Sequence, residues 1–278
     1  MLMQDSTAVA PNVTSMENVK LSVPQLSQQA IMTRVIIALA GLAFLVWAYI
    51  GAEIKPVMLY QFRHNMMEYA AGFSRPDFAY WREIVREMVV TVQIAIWGTF
   101  LAVVLAVPFG LLSSANVAPV WIHQPVRRIM DTARSINEMI FAMFFIAAVG
   151  LGPFAGVLAL FVHTMGTLAK LFSEAVEAID PQPVEGIRAT GAHVVEEVIF
   201  GVVPQVLPLW ISYSLYRFES NVRSASVVGI VGAGGIGYTL WDAIRSFDYG
   251  KTAAIIIVIV ITVSILDLIS ARIRKFFI

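Results

Sequence analysis

EGIRATGAHVVEEVIFGVVP, residues 185–204, is a polar, glycine-punctuated, helix-forming stretch set between two long apolar blocks. Both flanking blocks are long enough to cross a bilayer, so this stretch lies at a membrane face where something outside the bilayer can grip it. Asp180-Pro181 and Pro183 stop the preceding helix, residues 184–190 can form about two turns, and Gly191 releases the chain into another helical run. The expectation is a short helix across the membrane face. Glu185 is placed in its first turn, where a carboxylate complements the helix dipole, with Arg188 one turn later on nearly the same face. Its plain reading is a solvated connector with one local ion pair; its mechanical reading is a handle through which another protein moves the helices.

Composition supports the membrane setting. Of 278 residues 58% are hydrophobic and 14% charged, and the mean hydropathy of +0.76 exceeds what one soluble core of this length needs. The 19 basic and 19 acidic residues balance, so nothing in the totals points to nucleic acid. With no cysteine, disulfides, thiol chemistry and thiolate metal sites are excluded. The first 30 residues are polar, and the first apolar block starts too late for an ordinary cleaved signal peptide.

Roughly 20 apolar residues at 1.5 Å each cross a hydrocarbon layer of about 30 Å. On that rule the expected fold is all-α, a polytopic inner-membrane bundle of about six transmembrane helices: residues 35–50, 88–112, 136–150, 153–172, 198–216 and 253–270. Gly150-Leu151-Gly152-Pro153 marks a tight turn, and Pro204 and Pro208 predict a bent fifth span. Arg127, Arg128 and Arg134 fall between spans two and three, and Arg272, Arg274 and Lys275 follow span six. Six spans put both clusters on one side, the cytoplasm, although Lys55, Arg63, Arg75, Arg82 and Arg86 lie in the opposite loop. Both termini and the 173–197 loop are then inside, and residues 51–87 outside.

Glu185, Gly191 six residues on, and Val203-Pro204 resemble the EAA loop of permease subunits in bacterial ABC importers, in which Glu-Ala-Ala is followed by three residues, Gly, nine residues and Ile-x-Leu-Pro. Gly186 and Ile187 stand where the alanines would be, and Gly201 where the isoleucine would be. The runs QPVRRIMD, INEMIFAMFF, VGLGPFAGVLALFVHT, SEAVEAIDPQPVEGIRATGA and SYSLYRFESNVRSASVVGIVGAGGIG look like the phosphonate-type permease of such importers. The likeness covers most of residues 81–278. It implies a homodimer of five-helix cores, two ATPase subunits on the cytoplasmic face that bind ATP and Mg, and a periplasmic phosphonate-binding protein. Residues 1–30 then form a cytoplasmic tail, 31–80 a peripheral first helix and periplasmic loop, and 81–278 the permease domain with its coupling loop at 173–197. Glu185, Gly186, Arg188 and Gly191 would dock on the ATPase, whose closure drives alternating access. The implied substrate is a phosphonate or a related small phosphorus oxyanion such as phosphite.

Gly232-Ala-Gly234-Gly235-Ile-Gly237 fits G-x-G-x-x-G after a β-branched run, yet no acidic residue follows about 20 positions on. Glycines for close packing or irregular backbone beside a protein-walled cavity account for it better. No G-x-x-x-x-G-K-[ST] exists, so the energy comes from a partner and no cofactor is expected in this chain. His193-Val-Val-Glu196-Glu197 resembles a zinc-protease helix only in part, the four histidines are scattered, and no G-x-S-x-G occurs. Neither a catalytic residue nor a metal site is expected. Glu174 and Glu177 read as a wetted helix face.

Polar groups at membrane depth are costly and usually face a cavity or a partner. Asn137 and Glu138 open span three, His163, Thr164 and Lys170 lie in span four, and Arg217, Glu219, Asn221 and Arg223 crowd the end of span five. One reading pairs Arg217 with Glu219 or Glu138 and lets Lys170 snorkel to the interface. The other makes Asn137, Glu138, His163, Thr164, Arg217, Asn221, Arg223 and Ser224 candidates for a translocation pathway, with Arg223, Asn221 and Ser224 offering donors to an oxyanion. Three alternatives stay open: a permease for another small solute such as methionine, an ion-coupled secondary transporter relaying protons through Glu138 and His163, and a nontransporting scaffold.

Overall fold

The computed structural model describes residues 28–277, and every regular element among them is helical. The tail expected over residues 1–30 lies outside the described residues except for its last three. By internal contacts the chain divides into two units, 1–64 and 65–278. In the first, α1 (Gln28–Gly51) is apolar throughout with no buried residue, and α2 (Val57–Gln61) follows. α3 (Arg63–Phe73) straddles the boundary.

The second unit is built on a seam of small residues. α4 (Trp81–Leu112) buries Thr91, Ala95, Gly98, Thr99, Ala102, Ala106 and Gly110 in a stripe at helical spacing. That stripe lies against α7 (Pro153–Glu177). A β carbon at Gly98 would sit 2.9 Å from Leu160 Cβ, and one at Gly110 2.7 Å from Phe172 Cβ. Lipid gives apolar helices little reason to associate, so close backbone approach and dispersion hold such pairs together. Phe172 continues the packing by stacking on Trp210, ring centroids 4.7 Å apart.

Five described helical runs are long and apolar enough to cross a membrane: α1, α4, α7, the run Val194–Val231 and α12 (Tyr249–Phe277). The expected third span is the correction. Residues 136–150 supply only α6 (Glu138–Val149), 12 residues and about 18 Å long. Ahead of it, α5 (Val120–Ser135) meets α6 at 90°, and only the bent pair together qualifies as a sixth span. Asn137, whose side chain accepts from Met139 N at 2.8 Å, caps α6 and forces the restart. Arg127, Arg128 and Arg134 therefore sit on an amphipathic helix and not on a loop. Gly166 lets that helix lie directly on α7, since a β carbon there would meet Met130 O and Arg134 N, each at 2.8 Å.

The fifth span runs continuously through α9 (Val194–Glu196), a π turn at Glu197–Val202, α10 (Val203–Val228) and a 3₁₀ turn at Gly229–Val231. Pro204 falls directly after the π turn at the start of α10, and Pro208 one turn further in. The departure from α geometry precedes both prolines.

At mid-bundle a buried polar chain joins three helices. Thr164 Oγ1 donates to Asn221 Oδ1 at 3.0 Å, Asn221 Nδ2 donates to Thr99 Oγ1 at 2.8 Å, and Thr99 Oγ1 donates to Ala95 O at 2.7 Å. Their residues are at most 6% exposed, so the hydroxyls and amide have no water to turn to. Asn221→Leu is expected to lower stability by about 1 kcal/mol, the sum of two interhelical bonds at membrane values. Thermal unfolding in detergent checks it; an unchanged midpoint counts against the chain of bonds as a fastening.

Candidate functional site

The 185–204 stretch does form the short helix expected of it, with different bounds. α8 (Pro181–Ala189) begins with Asp180 as N-cap, its carboxylate accepting from Gln182 N at 3.0 Å. Pro181 and Pro183 occupy the first turn, where backbone N–H groups lack helical partners anyway. Glu185 consequently lies in the second turn, not the first, and is exposed. Arg188 does not bond Glu185. Its Nε and Nη2 donate to Glu197 Oε1 and Oε2 at 2.9 and 2.7 Å, a two-pronged bond across the loop. That bond, and then the carboxylate's charge, push the Arg188 pKa further above its ordinary value. Gly191 takes φ +86° after the helix, and Gly186 stands in open space. Beneath α8 is a hollow of about 350 Å³ lined by Asn116, Glu177, Val184, Glu185, Arg188 and Val202.

α4 is about 48 Å long, so its two ends mark the two faces of the bundle. The α8 face is closed by Glu177, which accepts from Ala115 N at 2.9 Å and from Arg127 Nη1 at 3.2 Å. Glu174 pairs with Lys170 at 3.3 Å. Both carboxylates therefore have cationic partners, which corrects their reading as a merely wetted face, and Lys170 is mostly covered instead of reaching freely outward.

Toward the other end lies the glycine run. After the 3₁₀ turn the chain passes Gly232, Gly234 and Gly235 at φ +101°, +78° and +76° and enters α11 (Ile236–Arg245). Side chains rarely adopt these angles, and a β carbon at Gly235 would collide with Thr91 Oγ1, which accepts from Ile236 N at 2.8 Å. The run before the glycines is the end of α10 and not a strand, so no dinucleotide fold forms here. The loop borders a vestibule of about 420 Å³ with Glu83, Glu87, Gly152, Tyr238, Thr239 and Asp242 on its walls.

The polar candidates at membrane depth separate into three groups. Glu138 Oε1 accepts from Ser224 Oγ at 2.7 Å while its other oxygen lies 3.7 Å from His163 Nε2. His163 Nδ1 donates to Ile136 O at 2.9 Å, which orients the ring toward Glu138. Arg217 reaches this group from α10: Nη2 donates to Thr167 Oγ1 at 3.3 Å, and its buried Nε has no partner in the protein. Asn137 caps α6 beside them. Thr164 and Asn221 belong instead to the buried polar chain, with their donors and acceptors engaged. Arg223 points a third way, to Asp267 of α12 at 3.3 Å, so Arg223, Asn221 and Ser224 do not converge. Glu219 pairs with Arg274 at 2.9 Å and not with Arg217. Thr167, Asp267, Thr91 and Thr99 were not singled out from sequence, while Glu197 was read only in the partial zinc-protease pattern and Arg274 only in the basic cluster after span six. The eight-residue spacing of Thr91 and Thr99, two turns of one α4 face, was the available signal.

Charged and polar side chains gathered inside a bundle of spanning helices, with a separate polar helix at one face, define a membrane transport protein. The profile of the family described as binding-protein-dependent transport system inner membrane component matches residues 106–278, and the chain belongs to that family. The cryptic phosphonate transport system permease protein PhnE2 of Escherichia coli (strain K12) is 69% identical over 121 residues, 44% of this chain and 99% of that one. The phosphite transport system permease protein PtxC of Stutzerimonas stutzeri is 40% identical over 203 residues, 73% of this chain and 74% of that one. A chain of the MetNI methionine ABC transporter, solved facing inward, has the same fold at TM-score 0.62 and 22% identity, covering 70% of this chain and 96% of that one. The protein is thus a multi-pass inner-membrane permease subunit of an ABC importer, not an enzyme, and it works with an ATPase and a binding protein. Among the described residues no group of three or more His, Asp or Glu side chains could hold a metal ion.

Proposed function

We propose that this permease passes phosphonates, or closely related phosphorus oxyanions such as phosphite, across the inner membrane by alternating access. The observation that carries the reading is Arg217: a half-buried guanidinium at membrane depth with an unpartnered Nε, in a chain whose relatives are permeases for such anions. An ionised side chain at mid-bilayer costs about 2.5–3.5 kcal/mol on insertion scales and is kept where a pathway or partner uses it. His163, Thr167 and Lys170 recur on one face of α7 beside Arg217, and Arg223 with Asp267 is about half exposed. A second copy of the chain would cover these groups and complete a water-filled passage between two such faces, a homodimer. Glu138 offsets the Arg217 charge, so the anion is held weakly enough to leave.

The energy enters at α8. Two ATPase subunits that bind ATP and Mg take Glu185, Gly186 and Gly191 into a surface groove on the cytoplasmic side, and a periplasmic phosphonate-binding protein delivers the anion to the vestibule side. Both termini are cytoplasmic, residues 31–80 form a peripheral helix and periplasmic loop, and residues 81–278 the permease domain. Nucleotide shifts the inward and outward populations only through contacts that differ between the two states, and α8 carries those contacts. The test is the co-purified complex in proteoliposomes with binding protein and a panel of methylphosphonate, phosphite, phosphate and methionine. ATP-dependent uptake of phosphonate or phosphite, weaker by about tenfold or more in Arg217→Gln, is expected. Uptake by the permease alone would make it an ion-coupled transporter through Glu138 and His163; stimulation by methionine only would move it to another solute class.

A further inference from the structure

We infer that α8 is built as a rigid extension of the fifth span, strapped to it at both ends, and that Arg188 is a positioning residue for this strap instead of a contact to the ATPase. The inference rests on the docking reading above.

The chain enters α8 from α7, yet what α8 packs against is the fifth span. At its C-terminal end Arg188 grips Glu197 with two charge-assisted bonds of 2.9 and 2.7 Å. The two partners are unequal: the Arg188 side chain is 65% exposed, whereas that of Glu197 is 9% exposed. A carboxylate turned into the protein needs a cation, and Arg188 is the one that reaches it. At the other end Gln205 of α10 accepts from Asp180 N at 3.2 Å and donates to Asp180 O at 3.3 Å. The same Nε2 donates to Gly201 O at 2.7 Å, which fixes the amide's orientation. Between the two ties, Gly201 presses its backbone on α8: a β carbon there would lie 3.1 Å from Val184 Cγ2 and 3.2 Å from Ile187 Cδ1.

The π turn makes this arrangement possible. Glu197 opens the turn and Gly201 lies within it, both against α8, and Gln205 reaches Asp180 one turn further on. From Gln205 the load passes along α10 to Asn221, which holds α4 and α7 through Thr99 and Thr164. A displacement of α8 therefore moves α10 first and the α4–α7 seam with it, and the short link at residues 178–180 is where α8 can pivot relative to α7.

The experiment uses the full transporter, permease with ATPase and binding protein, in proteoliposomes, and reads two quantities: ATPase co-purified per permease, and solute moved per ATP hydrolysed. Arg188→Ala and Glu197→Gln are each expected to retain the ATPase at wild-type stoichiometry while solute moved per ATP falls about tenfold. Because the chain has no cysteine, Arg188→Cys with Glu197→Cys can be bridged by a short bis-maleimide without background labelling. Bridging is expected to restore most of the lost coupling, which a residue needed only for folding or docking would not show. Loss of ATPase from Arg188→Ala would make Arg188 a docking contact and overturn the strap, as would unchanged coupling in both single variants or no recovery on bridging. Failure of the docking reading shows differently, as wild-type ATPase association and uptake in Glu185→Lys.

Discussion

Gly237→Val leaves little folded permease, the largest structural effect expected of any single substitution discussed. The end of α10 and the start of α11 cross backbone to backbone at this point. A β carbon on Gly237 would collide with the carbonyl oxygen of Ser226 and lie 2.9 Å from Gly229 Cα. Overpacking costs about 1–3 kcal/mol where side chains can shift, and here the obstacles are backbone atoms held in helices. Set against a stability of about 5–15 kcal/mol, the added strain falls on the joint that carries the glycine loop and α11 together. Monodisperse yield and the thermal midpoint in detergent measure it, and a normal yield would mean that α11 does not pack on α10 this way. Gly186→Ala is the matched control. No atom stands within 4 Å of a β carbon at Gly186, and replacing an exposed helical glycine by alanine gains about 0.5–1 kcal/mol. That variant keeps its yield and its thermal midpoint.

Glu185→Lys has the largest expected effect on function. Glu185 is exposed on the outer turn of α8, at the rim of the hollow that also holds Glu177 and Arg188, and none of the ties holding α8 in place uses it. Reversing its charge leaves the permease folded and puts a cation where the ATPase groove is to receive a carboxylate. Coupling between distant sites in proteins is commonly about 1–3 kcal/mol, or about 5- to 150-fold, and uptake is expected to fall within that range. The reading is checked by pulling down the ATPase with tagged permease and by uptake in proteoliposomes. Full association and full uptake would remove α8 as the docking element.

Much of this was legible along the chain. The apolar blocks at 35–50, 88–112, 153–172, 198–216 and 253–270 each fall inside a helical run long enough to cross a bilayer, because apolar length is a local property. The third span was not legible, since residues 136–150 are as apolar as their neighbours and the 90° bend is set by Asn137 capping α6 and by α5 lying on Gly166. A short helix ending before Gly191 was readable, but over 184–190; that Asp180 caps it and the two prolines fill its first turn was not. The partner of Arg188 was not: Glu197 comes within reach only after the chain turns at Gly191 and restarts as a helix at Val194, a pairing that no local pattern announced. The same holds for Asn221, whose acceptor Thr99 is 122 residues away in sequence.

The three left-handed glycines within four residues have a consequence for how this permease can diversify. Where Gly232, Gly234 and Gly235 border the vestibule, the surface offered to a visitor is naked peptide, since no other residue type fits those angles at so little cost. This stretch of the rim has no side chain to exchange, and swapping in a new one breaks the loop before it alters preference. A lineage that changes cargo must therefore do so elsewhere, at the side chains on the vestibule's other walls or on the α7 face, while this patch stays as it is.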